Sequence, residues 1–338
     1  MVNISINGFG RIGRLFFRKA FKSDAINLVA INDLGSTEEL GYLLQYDTVY
    51  GEFEHDVQAS GDSITVGEKK IPFFEIENPS ELPWEELGVD IAVEATGVFT
   101  EYEKARAHLE AGADRVVITA PGEGEEGVQG KTVLMGVNEG EIEKTLLTSN
   151  ASCTTNAASP VISIMKNNLG IEKAMLSTIH GYTASQNLVD GLPQGSKIRR
   201  SRAAAENIIP SSTGSAKAVG KAIEEMKSKF DGIAFRVPVP AGSVADITFL
   251  ASQDTSVEEV NKILRQADEK PEWEGVYTYS EDPIVSSDIV GEPYGAIADL
   301  SYTRVVDSNL VKVLSWYDNE YGYVSTLVKH VKKAAELL

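Results

Sequence analysis

Gly8-Phe9-Gly10-Arg11-Ile12-Gly13 follows the spacing G-x-G-x-x-G and stands between two runs of different period. Val2 to Asn7 (VNISIN) alternates apolar and polar residues as a strand does, while Arg11 to Lys22 repeats its apolar residues at helical spacing. In that setting each glycine has a mechanical use: a tight turn, close approach of backbone to a pyrophosphate, and close packing of helix on strand. A second buried-strand candidate, Ile26 to Asn32, ends at Asp33, about 20 residues beyond the last glycine. A carboxylate there accepts from ribose hydroxyls and repels a 2′-phosphate, so Gly8, Gly10, Gly13 and Asp33 point to a site for NAD. The turn Leu34-Gly35-Ser36 leaves room for NADP as well. A lone hexapeptide of this spacing also fits a structural turn; strand, helix and acid together favour the dinucleotide.

The alternation continues through Val89 to Ala95, a helical Glu101 to Ala111, Val116 to Thr119 and Val133 to Val137, which is the pattern of a doubly wound sheet. Beyond Asn150 the order changes. Ala157 to Asn168, Ser215 to Lys229 and Val257 to Ala267 read as helices, while Ala174 to His180, Gly232 to Val239, Val244 to Ala251 and Leu310 to Tyr317 read as longer strands. The expected architecture is an α/β Rossmann dinucleotide-binding domain over 1–152 and an α+β catalytic domain with a mixed or antiparallel sheet over 153–318. A C-terminal helix within 319–338 is expected to pack back on the first domain.

Composition narrows the function. The 338 residues carry 31 Lys and Arg against 50 Asp and Glu, a formal charge of −19, which excludes a generic binder of nucleic acid. Any anionic substrate must then meet a local cluster of donors, which draws attention to the basic run Lys197 to Arg202; its plainer reading is a solvated loop. No segment approaches the length of an apolar membrane span, and the N-terminal residues have no basic region before an apolar core, so a cytoplasmic protein without membrane partners is expected. The single cysteine, Cys153, excludes an intrachain disulfide, and the four histidines are scattered, so no metal site is expected.

Cys153 follows Ser152 at the expected start of a helix, where free N–H groups favour a thiolate, the nucleophilic form. Among the histidines, His55 lies with acidic loop residues, His108 and His330 are expected on polar helix faces, and His180 closes the apolar strand MLSTIH. Taken singly, Cys153 also reads as a small buried hydrophobe, and His180 as a strand-end histidine with its hydrogen bonds satisfied. Trp316 and Tyr317 read as core.

Five blocks change the weight of these readings: NGFGRIGR (Asn7 to Arg14), EATGVFT (Glu94 to Thr100), SNASCTTN (Ser149 to Asn156), IIPSSTG (Ile208 to Gly214) and SWYDNEYGY (Ser315 to Tyr323). Together they resemble the phosphorylating glyceraldehyde-3-phosphate dehydrogenases over nearly the whole chain. The resemblance implies oxidation of glyceraldehyde 3-phosphate to 1,3-bisphosphoglycerate with NAD, in glycolysis or gluconeogenesis, by a homotetramer. It extends to erythrose-4-phosphate dehydrogenases, and a cofactor-binding interaction protein without turnover is the alternative of a different class.

Carried over motif by motif, the resemblance makes Cys153 the nucleophile and His180 its proton partner. It places Arg11 and Ile12 at the pyrophosphate, Asp33 at the adenine ribose, and Thr119, Asn319 and Tyr323 around the rest of the cofactor. Thr183 and Arg236 resemble a substrate-phosphate pocket. Ser152, Thr154, Thr213, Gly214 and an arginine of the basic run, taken as Arg200 with Arg199 and Arg202 as alternatives, resemble a pocket for inorganic phosphate. Read without the resemblance, Ser211 to Gly214 is equally a helix N-cap. The chain departs from the family pattern in a lengthened segment between Asp190 and Arg199, in Ser185 where Asp or Thr is common, and in Ala157 where a second cysteine is common.

Overall fold

The computed structural model describes residues 1–127, 129–193 and 197–338, which divide into two units. The lengthened segment includes 194–196, which lie outside the described residues. The first unit comprises Met1–Val133, Glu139–Ala151 and Leu327–Leu338, and the second Leu134–Asn138 and Ser152–Thr326.

Among the described residues the first unit holds a nine-stranded sheet. Its central strand, Val2–Asn7, pairs in parallel with Ile26–Asn32 on one side and Ile91–Glu94 on the other. Arg115–Ile118, Leu147–Ser149 and Lys131–Thr132 extend the parallel sheet beyond Ile91–Glu94. Strand order therefore reverses at Val2–Asn7, and in an open α/β sheet the ligand crevice lies at the carboxyl ends of the strands flanking such a reversal. Ile4, Ile6, Val93, Val116 and Val117 are fully buried, as the residues of a sheet covered on both faces must be.

The other edge differs from the sequence reading. Lys69–Phe74 pairs in parallel with Ile26–Asn32, and Ser63–Val66 and Val57–Ser60 follow as an antiparallel meander. The expected helix Glu101 to Ala111 is two single turns, Tyr102–Ala105 and Ala107–Glu110, and the strand expected at Val133 to Val137 is the short Lys131–Thr132. His108 and His330, expected on polar faces, are both fully buried. Hydrogen-bonding partners from distant parts of the chain make this possible, and helical periodicity does not display them.

The second unit, again among the described residues, is built on a seven-stranded mixed sheet. Its longest central strand, Ile171–Gly181, runs parallel to Phe230–Val237 and antiparallel to Ser243–Ala251. The helix Cys153–Leu169 is buried along most of its length and ends at Gly170, whose φ of 69° suits glycine. Ser215–Ala222 is shorter than expected because Ile223 turns extended before a 3-10 turn at Glu224–Met226. The division also departs from the boundaries expected at 152 and 318. Gly136 has no room for a side chain against Glu272 and Trp273, Asn319 is bonded to Ser243, and Thr326 lies against Gly295, so 134–138 and 319–326 group with the second unit.

Candidate active site

The glycine turn of the first unit is built as its spacing requires. Gly8 has φ +96°, and a Cβ on it would fall on the backbone of Ala95 and Thr96, while one on Gly13 would strike the carbonyl oxygen of Gly8. Beside Gly10 the space is open and no side chain caps the helix Arg11–Ala20, and the start of such a helix suits an anion. Asp33 is held at both oxygens, accepting from Phe9 N at 2.6 Å and Gly35 N at 2.8 Å. Arg11 donates to Asp47 at 2.6 Å and lies 5.8 Å from the Tyr50 ring. Ile12 is half-buried, and the Thr119 N–H donates to the Glu94 carbonyl at 2.9 Å. Donors for a pyrophosphate and an oriented carboxylate for a ribose are both present, so the residues fit NAD.

The chain reaches Cys153 of the second unit through a strained corner. Ala151, fully buried at φ 54°, turns the backbone just before Ser152. Ser152 then caps the helix by accepting from Thr155 N at 3.2 Å, which puts half-buried Cys153 in the first helical position. Its Sγ lies 3.4 Å from His180 Nε2. His180 Nδ1 is 2.7 Å from the Gly181 carbonyl, and Nε2 is the ring nitrogen that faces the thiol. Arg236 Nη1 donates to the same carbonyl at 3.0 Å and sits 2.8 Å from Nδ1. Burial and then this guanidinium push the imidazole down to about 3. Burial likewise raises the thiol above its ordinary value, against the smaller opposing pull of Arg236, so desolvation outweighs the thiolate expected from the helix start.

Tyr317 closes the floor of this pair, and reading it as core packing alone missed its place. Its hydroxyl bonds Thr154 Oγ1 at 2.9 Å and Thr178 Oγ1 at 2.7 Å, and its ring meets His180 edge-on at 6.0 Å. Thr154 and Thr178 thus share the Tyr317 hydroxyl. Asn319 is buried and accepts from Ser243 Oγ at 2.8 Å, and Tyr323 is buried at the start of the last helix.

Two sets of hydroxyl contacts complete the unit. Ser152 Oγ is 3.1 Å from Ser215 Oγ, which accepts from Thr213 Oγ1 at 2.9 Å. Ser215 was not singled out from sequence, although it directly follows IIPSSTG. The cap at Gly214 is made without a side chain, and the space beside it is open. Arg200 donates to Ser211 Oγ at 2.9 Å and Ser185 Oγ at 3.0 Å, and Ser185 is 2.9 Å from Thr183 Oγ1. Burial and the nearby Arg236 lower Arg200 to about 10. Arg202 instead pairs with Asp190 at 2.6 Å, and Arg199 is exposed.

Comparison with known proteins gives the pattern its name. The profile of the glyceraldehyde 3-phosphate dehydrogenase NAD binding domain matches residues 2–102, and that of the C-terminal domain of the same enzymes matches residues 152–319. The chain belongs to the glyceraldehyde 3-phosphate dehydrogenase family.

Members of the family are close over full length. The chain is 45% identical to glyceraldehyde-3-phosphate dehydrogenase 2 of Streptomyces avermitilis over 97% of its own length and 96% of that protein's. It is 44% identical to glyceraldehyde-3-phosphate dehydrogenase 2 of Bacillus subtilis over 98% and 96%, and 42% identical to the glyceraldehyde-3-phosphate dehydrogenase of Clostridium pasteurianum over 100% and 99%. The family's Rossmann and α+β domains, its NAD cofactor and its oxidoreductase class apply to this chain. These relatives do not favour erythrose 4-phosphate or a binding protein without turnover. Among the described residues no helix is long and apolar enough to cross a membrane.

Proposed function

We propose that this protein oxidises glyceraldehyde 3-phosphate to 1,3-bisphosphoglycerate, using NAD and inorganic phosphate, through a thioester on Cys153. The observation that carries the reading is the 3.4 Å approach of Cys153 Sγ to His180 Nε2, a nucleophile and a base within proton-transfer reach. His180 takes the thiol proton as sulfur adds to the aldehyde carbon, and returns it to the new alkoxide to give a hemithioacetal. It then removes that hydroxyl proton while the carbon is oxidised. Bound NAD supplies the oxidising power by accepting the hydride. Phosphate oxygen attacks the resulting thioester, the C–S bond breaks, and Cys153 regains its proton.

Arg236 and Thr183 would hold the phosphate of the aldehyde, and Arg200 with the Ser152, Thr213 and Gly214 group would hold inorganic phosphate. Guanidinium and hydroxyl donors are what phosphate oxygens require, and this support weighs heavily in a chain of charge −19. Thr154 belongs to the same inorganic-phosphate group in this reading. A cytoplasmic homotetramer belongs to the same reading. The exposed apolar residues Met175, Ile233, Tyr302 and Leu310 on strands of the catalytic sheet support assembly, and light scattering at micromolar concentration tests it.

The decisive experiment withholds phosphate. Enzyme, aldehyde and NAD should give a burst of NADH of about one per active site, then a much slower rate until phosphate is added. Rapid steady release of free acid in phosphate-free buffer would identify a hydrolysing enzyme instead.

A further inference from the structure

Glu94 is buried in the first unit, and hydrogen bonds from three other residues end on it. One oxygen accepts from Asn7 Nδ2 at 2.6 Å and faces His108 Nε2 at 3.0 Å. The other accepts from the Thr96 N–H at 2.8 Å and from the Thr96 hydroxyl. The direction of every bond around it follows. His108 Nδ1 lies 3.0 Å from the indole N–H of Trp84 and must accept there, so the proton of His108 is on Nε2 and points at Glu94. Asn7 Oδ1 accepts from Asn32 Nδ2 at 2.7 Å, so the amide of Asn7 is turned with its NH2 toward Glu94. A carboxylate accepts without donating, and it terminates a chain of donors running in from Trp84 and from Asn32.

These bonds join the ends of three strands. Asn7 immediately precedes the glycine turn, Asn32 precedes Asp33, and Glu94 ends the strand that leads into Thr96. The backbone of Thr96 is also the surface on which a side chain at Gly8 would fall. We propose that Glu94 and His108 are positioning residues for the dinucleotide: the buried carboxylate locks the Thr96 turn against the Gly8 turn and so sets the affinity for NAD. This rests on reading the Gly8 to Gly13 turn and Asp33 as the cofactor site.

Replacing Glu94 by Gln keeps the shape and reverses one end of the polarity. Turned one way, its NH2 group would face the NH2 of Asn7 and the N–H of His108, neither of which can turn round without deserting Asn32 or Trp84; turned the other way, it would face the Thr96 N–H. The double variant Asn7→Asp with Glu94→Gln moves the charge from one side chain to its neighbour. The carboxylate then at position 7 would accept from the amide then at position 94, from Asn32, and from His108, whose Nε2 is already 3.4 Å from the Asn7 side chain.

The test measures NAD binding to the full chain by calorimetry, beside kcat, both KM values and the melting temperature. Glu94→Gln should weaken NAD about tenfold and raise its KM equally, with kcat and the aldehyde KM within about twofold. Thr96→Val, an exposed change that leaves the fold intact, should weaken NAD by about threefold. The double variant should recover most of the lost affinity. Gly10→Val, placed where the space is open, tests the underlying reading: unchanged NAD binding there would refute the cofactor site itself. If Gly10→Val abolishes binding while Glu94→Gln and Thr96→Val leave it unchanged, the positioning role is wrong. A double variant that recovers the melting temperature but not the affinity would also overturn it.

Discussion

Arg236 lies against the side of His180 remote from Cys153, with Nη1 2.8 Å from Nδ1. A fixed positive charge at that distance opposes a second one on the ring, so the imidazole facing the thiol is neutral and able to act as a base. His180→Asn removes that base and should lower kcat by about 10²–10⁴-fold. Alkylation of Cys153 by iodoacetamide near neutral pH should slow in parallel, and an unchanged alkylation rate would show that the imidazole does not act on the thiol. Cys153→Ser should retain less than about a thousandth of the activity while still binding NAD, as calorimetry would report.

Asp33 accepts from two backbone N–H groups and so cannot swing freely away from an incoming ribose. NAD should therefore have the higher kcat/KM, and Asp33→Ala should narrow or reverse the preference over NADP. Steady-state kinetics with both cofactors decides; equal efficiency in the parent enzyme would mean that the Leu34-Gly35-Ser36 turn lets the acid move aside.

Thr213 joins Ser152 through Ser215, whereas Arg236 contacts Gly181 and His180. Removing each should therefore affect a different phosphate. Thr213→Ala should raise the KM for inorganic phosphate more than that for the aldehyde, and Arg236→Ala the reverse. Each effect should be about tenfold or more, the loss of a charge-assisted hydrogen bond. Identical shifts in both KM values for both variants would contradict two separate pockets.

His330 is fully buried, with Nε2 2.7 Å from Thr148 Oγ1, and burial lowers it from 6.5 to about 3. Below pH 6.5 the unfolded chain binds a proton that the folded one refuses, so stability falls as pH falls from about 6.5 toward 3. At pH 5 this amounts to about 2 kcal/mol for the one group. His330→Gln should flatten the loss of melting temperature between pH 7 and 5, whatever its effect at pH 8. A slope as steep as the parent's would place the acid sensitivity elsewhere.

The legible parts of this protein are those in which neighbours in sequence act together. A glycine turn, the strand before it and the helix after it are local, and each residue's demand on the backbone can be stated without the rest of the chain. So can the cap at Ser152 that puts Cys153 at the head of a helix. The antiparallel strands of 57–66 and the long strand Ala296–Val306 escaped notice because their apolar pattern is interrupted, and pairing rather than alternation defines them.

Sequence by itself determined the glycine turn between strand and helix, the place of Cys153 at a helix start, and through its motif blocks the family. Only the tertiary structure decided the rest of the chemistry. His108 and His330 became interior groups because Trp84, Glu94, Thr148 and Asn150 arrive from elsewhere in the chain to satisfy them. Tyr317 came to lie beneath His180, and Arg200 rather than Arg202 came to face Ser185 and Ser211. Burial, which sets the protonation of His180 and Cys153 here more than any neighbouring charge, is a property of the surrounding packed chain. No spacing of residues expresses it, because the desolvating atoms come from strands and helices far apart in sequence.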